Sequence, residues 1–154
     1  MTVPVSQRQK IACVPGPYGP GFVLAVPVKT SVGIVSHKGI MTDREGPDGC
    51  PMVVHASKIF ERVIESSMSD FVLTAVGPVS SEGFPGRLAP LVVVERARAL
   101  LGRSWQPWQN CEHLVHWAHG MPKRSPQIRQ AGKKAAGWAG VAAFVLFAVK
   151  NGGA

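Results

Sequence analysis

A chain of 154 residues with 45% hydrophobic and 17% charged residues can bury a core and is too apolar to stay disordered. Seventeen Lys and Arg against nine Asp and Glu leave a net charge of +8, which favours phospholipid head groups, nucleic acid or an acidic substrate. Aromatic-flanked basic repeats and Cys/His finger spacings are missing, so no nucleic acid is expected as a partner, and an anionic membrane surface remains a candidate.

Residues 1–20 read as an N-terminal loop segment that runs into Pro15-Gly16-Pro17-Tyr18-Gly19-Pro20-Gly21, which forbids helix. Met1 to Lys10 lacks the charged-then-apolar pattern of a signal peptide. Alternating bulky residues predict a strand over 22–28, and further strands are expected over 32–41 and 52–56, then a short one over 62–66 and a fifth over 71–76. Residues 77–90 read as a Gly/Pro/Ser-rich loop. Pro90 opens a helix that Gly102 ends, and Asn110 caps a second helix with Cys111, Leu114, Val115 and Ala118 on its inner face. Ser125-Pro126 starts a third, running to Val149. Strands first and helices after predict an α+β domain over 21–124.

The cysteines, Cys13, Cys50 and Cys111, are odd in number and far apart, with no CxxC pair. No disulfide framework is expected, and a reducing, cytoplasmic compartment fits this usage. Cys111 follows the cap residue Asn110, so its sulfur lies at a helix N-terminus, where partial positive charge favours the nucleophilic thiolate. His37 and His55 lie on two predicted strands, each nine residues from Gly46. A hairpin about Gly46 opposes them directly on one face, Cβ atoms about 4.5–5.5 Å apart. One imidazole then takes a proton while the other fixes its tautomer, which with Cys111 makes a Cys-His-X arrangement.

Rival chemistry is weaker. His113, His116 and His119 rise beside Cys111, but the outer two are nearly two turns apart and the set does not converge as a zinc site requires. Ser80-Ser81-Glu82-Gly83 lacks the Gly two residues before Ser that a nucleophile elbow needs. No phosphate-cradling loop is present, and neither metal nor cofactor is expected.

Asn110-Cys111-Glu112-His113 resembles the NCEH signature of the lecithin retinol acyltransferase-like family, a permuted relative of NlpC and papain-like thiol enzymes. His37-Lys38-Gly39-Ile40-Met41 with Val53-Val54-His55 resembles that family's HxGIY…VIH hairpin. Val94 to Gly102 resembles the helix before its Cys, and Arg124 to Arg129 its RSxQVR segment. The resemblance implies a permuted papain-like (NlpC-like) fold with Cys111 as nucleophile, His37 as activating histidine and His55 as third member. Asn110, Glu112 and His113 would support the motif. It also implies an acyl-thioester at Cys111, resolved by water or by an acceptor hydroxyl or amine. Met41, Leu114 and a longer turn between the histidines depart from the family pattern and bear on substrate identity.

Ala135 to Val149 carries no charge, with Lys133-Lys134 before it and Lys150 after it. Fifteen residues rise only about 22 Å, whereas spanning takes about 20 apolar residues. A similar tail anchors some animal members of that family, so residues 125–154 are a candidate membrane anchor. Three functions are expected to compete: an acyltransferase or hydrolase acting on lipid acyl esters, an NlpC-type cysteine peptidase or amidase acting on amides, and a catalytically silent membrane-associated protein. Oligomeric state is not legible.

Overall fold

The computed structural model describes residues 13, 18–104 and 111–122, all inside the unit Met1–Lys123. Four strands come first: β1 (Val23–Thr30), β2 (Gly33–Glu45), β3 (Pro51–Ser57) and β4 (Arg62–Ser66). After them come α1 (Met68–Phe71), β5 (Ser80–Gly83), α2 (Pro90–Arg98) and α3 (Cys111–Ala118). The strands form one antiparallel sheet in the order β4-β3-β2-β1-β5. This is an α+β arrangement, with the strand-rich part of the chain ahead of the longer helices.

Strand alternation sorts the core into two layers. Val23, Ile40, Val54, Ala56 and Val63 face α2 and α3, where Val93, Ala97, Leu114, Val115 and Ala118 cover them. Leu24, Val26, Met41 and Val53 face the other way, against Met68 and Phe71 of α1 and Cys50. A fully buried residue of this size contributes about 1.5–3 kcal/mol, so the central strands β1 to β3 and the helices that cover them share the apolar stabilisation.

Two expectations about elements need correction. Residues 71–76 are not a strand. The Ser67 side chain accepts the Asp70 N–H at 3.1 Å and caps one helical turn, which buries Phe71, and turns follow it. The fifth strand instead comes from the expected loop, because Ser80–Gly83 pairs with β1 at the sheet edge. An edge strand needs backbone partners more than an apolar pattern, so its Ser-Ser-Glu-Gly sequence gave no signal.

A third correction concerns the thiols. Cys13 and Cys50 are joined in a disulfide, 37 residues apart in sequence, and Cys111 is the free cysteine. Such a long separation leaves no local spacing to read. Disulfides persist in oxidising surroundings, so cysteine usage no longer argues for a reducing compartment.

Arginines fix α2 to the sheet and to α3. Arg98 of α2 donates Nε to Glu65 Oε2 at 3.1 Å and Nη2 to Glu65 Oε1 at 2.8 Å. Arg96 donates to the carbonyls of Trp117 and Ala118 at 2.6 and 3.0 Å, closing the last turn of α3, and its guanidinium lies 4.4 Å over the Trp117 ring. At the end of the turns after α2, Gly102 takes φ +80° and donates to Val63 O, extending the β4 edge. Among the described residues no helix is long and apolar enough to cross a membrane. The expected helix over 126–149 lies outside them.

Candidate active site

The β2–β3 ladder decides where the histidines meet. Gly39 pairs with His55, Ile40 with Val54 and Met41 with Val53, but the next pair is Glu45 with Pro51. The Glu45–Pro51 pair centres the turn on Asp48 and not on Gly46, which displaces the register by four residues, and the extra residues on β2 between Met41 and Glu45 restore two of them. His55 stands opposite Gly39, not opposite His37 as the symmetric hairpin predicts. A two-residue shift keeps both histidines on one face, and His37 reaches diagonally across the side-chain-free position of Gly39. His37 Nε2 and His55 Nδ1 are 3.0 Å apart, with the rings edge to face at 80°.

Phe71 packs against both rings, at 5.3 Å from His37 and 5.2 Å from His55. His55 Nε2 lies 3.0 Å from Ser66 Oγ on β4, and that hydroxyl lies 3.3 Å from Ser67 O. Burial lowers the His37 pKa to about 4. Burial, then repulsion from His37, lowers His55 to about 3. Both rings are thus neutral at pH 7, and a neutral His37 is able to accept a proton.

Cys111 begins α3 and packs in the other layer, with Val23, Ile40 and Val54. Its thiol points at the edge of β2. Met41 exchanges backbone hydrogen bonds with the β1 side, at Gly21 and Phe22. By alternation, His37 and Gly39 bond toward β1, and Ser36 and Lys38 toward β3. The ladder with β3 ends at Gly39–His55, and beyond it Cys111 lies against the β3-facing side of β2. Sγ lies 3.9 Å from Ser36 O, and the Lys38 backbone N–H hydrogen-bonds to the sulfur. These two residues flank His37. Thiol and imidazole form no hydrogen bond with each other here, and the rest of each side chain belongs to a different layer.

The expectation of a resting thiolate is not met. Burial raises the Cys111 pKa, and the Glu112 carboxylate raises it further, against the lowering by the Lys38 N–H and ammonium. An eight-residue helix does not offset that desolvation. Glu112 is itself buried, with Lys38 Nζ 3.9 Å away, while Lys38 pairs more closely with Glu82 at 2.8 Å. His113 is partly buried on the same helix. Asn110 lies outside the described residues.

Beside this stretch of β2 is a groove of about 260 Å³ lined by Ala25, Pro27, Ile34, Ser36, Ser80 and Glu82 among others. Its lining residue Ser36 is the one whose carbonyl meets the thiol. Among the described residues no three His, Cys, Asp or Glu side chains gather to hold a metal ion. His119 instead packs edge-on against Phe84 at 4.7 Å. Ser66, Phe71, Lys38 and Glu82 were not identified from sequence. Locating Ser66 requires the register of two ladders, and Phe71 the cap at Ser67. No protein-family model, no curated protein and no solved structure matches the chain.

Proposed function

We propose that the protein is a thiol-dependent acyltransferase or hydrolase that forms an acyl-thioester at Cys111. In this reading it resembles lecithin retinol acyltransferase-like enzymes, shares their permuted papain-like organisation, and acts on acyl esters of lipids. The observation that carries the reading is the seat of Cys111 Sγ on the strand edge flanking His37, whose ring is hydrogen-bonded to His55.

With thiol and imidazole both neutral at rest, proton transfer and attack go together. His37 takes the Sγ proton as sulfur bonds to the acyl carbonyl carbon. The tetrahedral adduct expels an alkoxide or amine, which receives that proton from His37, and the acyl group stays on Cys111 as a thioester. Water, or an acceptor hydroxyl or amine, then gives its proton to His37 and attacks the thioester. Its collapse returns the thiol. The scheme asks the Cys111 thiol and the His37 ring, which pack in different layers, to swing into reach of each other past Ser36 and Lys38 when substrate binds.

The mostly apolar groove beside Ser36 and the +8 charge support an acyl lipid over a peptide. The test is incubation with phospholipid vesicles and, separately, with peptide or cell-wall amides, followed by intact mass. An acyl adduct on Cys111 from vesicles, lost in His37→Ala, is expected. Turnover of amides alone would favour the NlpC-type amidase. Identical behaviour of wild type and Cys111→Ala on every substrate would leave a catalytically silent membrane-associated protein.

A further inference from the structure

Behind the histidine pair, hydrogen bonds run in one direction. The Ser67 carbonyl accepts and never donates. It is 3.3 Å from Ser66 Oγ, and so takes the Ser66 hydroxyl proton. Ser66 Oγ then has only lone pairs to offer His55 Nε2 at 3.0 Å, which puts the ring hydrogen on Nε2. A neutral His55 with Nε2–H has a bare Nδ1, and that atom, 3.0 Å from His37 Nε2, accepts its hydrogen. The remaining nitrogen of His37, Nδ1, keeps its lone pair. His55 and Ser66 are 5% and 8% exposed, so water competes weakly for these bonds.

We propose that Ser66 is a positioning residue: through His55, its hydroxyl holds His37 in the tautomer whose Nδ1 is free to take a proton. The reverse chain would have Ser66 donate to His55 Nε2. Ser67 O would then keep only the Phe71 N–H at 3.0 Å, and the hydrogen would move to His37 Nδ1, where it could only donate. Ser66 therefore biases a two-way relay toward the direction a general base needs. The tautomer assignment stands on the hydrogen bonds alone, whereas its use in chemistry rests on the reading of Cys111 as nucleophile.

Long-range proton–nitrogen correlation on the ¹⁵N-labelled full chain at pH 7 reads the tautomers directly. The expected pattern is a protonated Nε2 and a bare Nδ1 on both His37 and His55. Ser66→Ala should shift His55 out of that single pattern and slow acylation of Cys111 roughly tenfold, the scale of one lost hydrogen bond. Ser66→Thr, which keeps the hydroxyl, should restore both. A hydrogen on His37 Nδ1 in the wild type, or unchanged tautomers and rates in Ser66→Ala, overturns the proposal. If the tautomers are as expected but His37→Ala acylates like wild type, the enzyme reading falls and the assignment of Ser66 to the relay stands.

Discussion

Gly39 faces His55 across the β2–β3 ladder, and the volume that a side chain at residue 39 would fill is held by Val53 and Phe71. A Cβ there would collide with Val53 Cγ1 and lie 3.0 Å from Phe71 Cε2 and 3.2 Å from Val54 O. The empty position lets Phe71 lean on both imidazoles and leaves His37 its diagonal path to His55.

Gly39→Ala is therefore expected to destabilise the fold by about 1–3 kcal/mol, as overpacking does, and to loosen the histidine pair. Urea denaturation measures the first effect. The second shows as loss of the Nε2–H signal of His37 in the proton spectrum. An alanine variant as stable as wild type would mean that Phe71 has room to withdraw.

The pH dependence of Cys111 acylation separates a neutral pair from a preformed ion pair. Below about pH 4 His37 is protonated and unable to accept the thiol proton. Above it, His37 is neutral and the rate should stay level through neutrality. A further rise comes only in alkaline solution, because burial lifts the thiol above its ordinary range. The acid limb is thus expected near pH 4. A limb near 6.5 would place His37 in a solvated setting and contradict its burial.

Particular residues explain what was readable in the sequence. Strands β1 to β4 were legible from their apolar, β-branched runs, although β1 to β3 are covered on both faces. The shared face of His37 and His55 was legible from the alternation of strand side chains, since parity survives a two-residue shift. Their direct opposition fails because the Glu45–Pro51 pair centres the turn on Asp48 and not on Gly46, and the extra residues of β2 between Met41 and Glu45 recover only part of that displacement. Ser66 is tied to His55 through a second ladder and was invisible to local reasoning. Cys111 was placed correctly at a helix start, but the dominance of desolvation over the helix end depends on packing that no spacing encodes.

Arg98 holds α2 on the sheet through Glu65, whose side chain is 7% exposed. Arg98→Met would leave that carboxylate buried without its two-pronged partner and is expected to cost about 2–4 kcal/mol in urea denaturation. Adding Glu65→Gln to the variant should recover part of the loss, since a neutral amide is cheaper to bury. Additive losses in the double variant would show that the two side chains act independently.

Acid should weaken the fold earlier than carboxylates alone would predict. Above pH 6.5 both histidines are neutral in the folded and unfolded chain and contribute no pH dependence. As pH falls below 6.5 the unfolded chain binds protons at these rings, while the folded pair refuses them until about 4 and 3. The unfolded state binds more protons throughout that window, so stability falls with pH. The slope reaches up to roughly 1.4 kcal/mol per unit for each histidine. The lowered carboxyls of Asp43, Asp48 and Glu65 add their loss only below their own unfolded range, near pH 4. Urea midpoints between pH 7 and 4.5 therefore isolate the histidine contribution. His37→Gln with His55→Gln should remove most of that slope, leaving the part due to His119, whose pKa burial also lowers, and the steeper fall below it, whereas an unchanged slope would mean that the two rings titrate as they do in water.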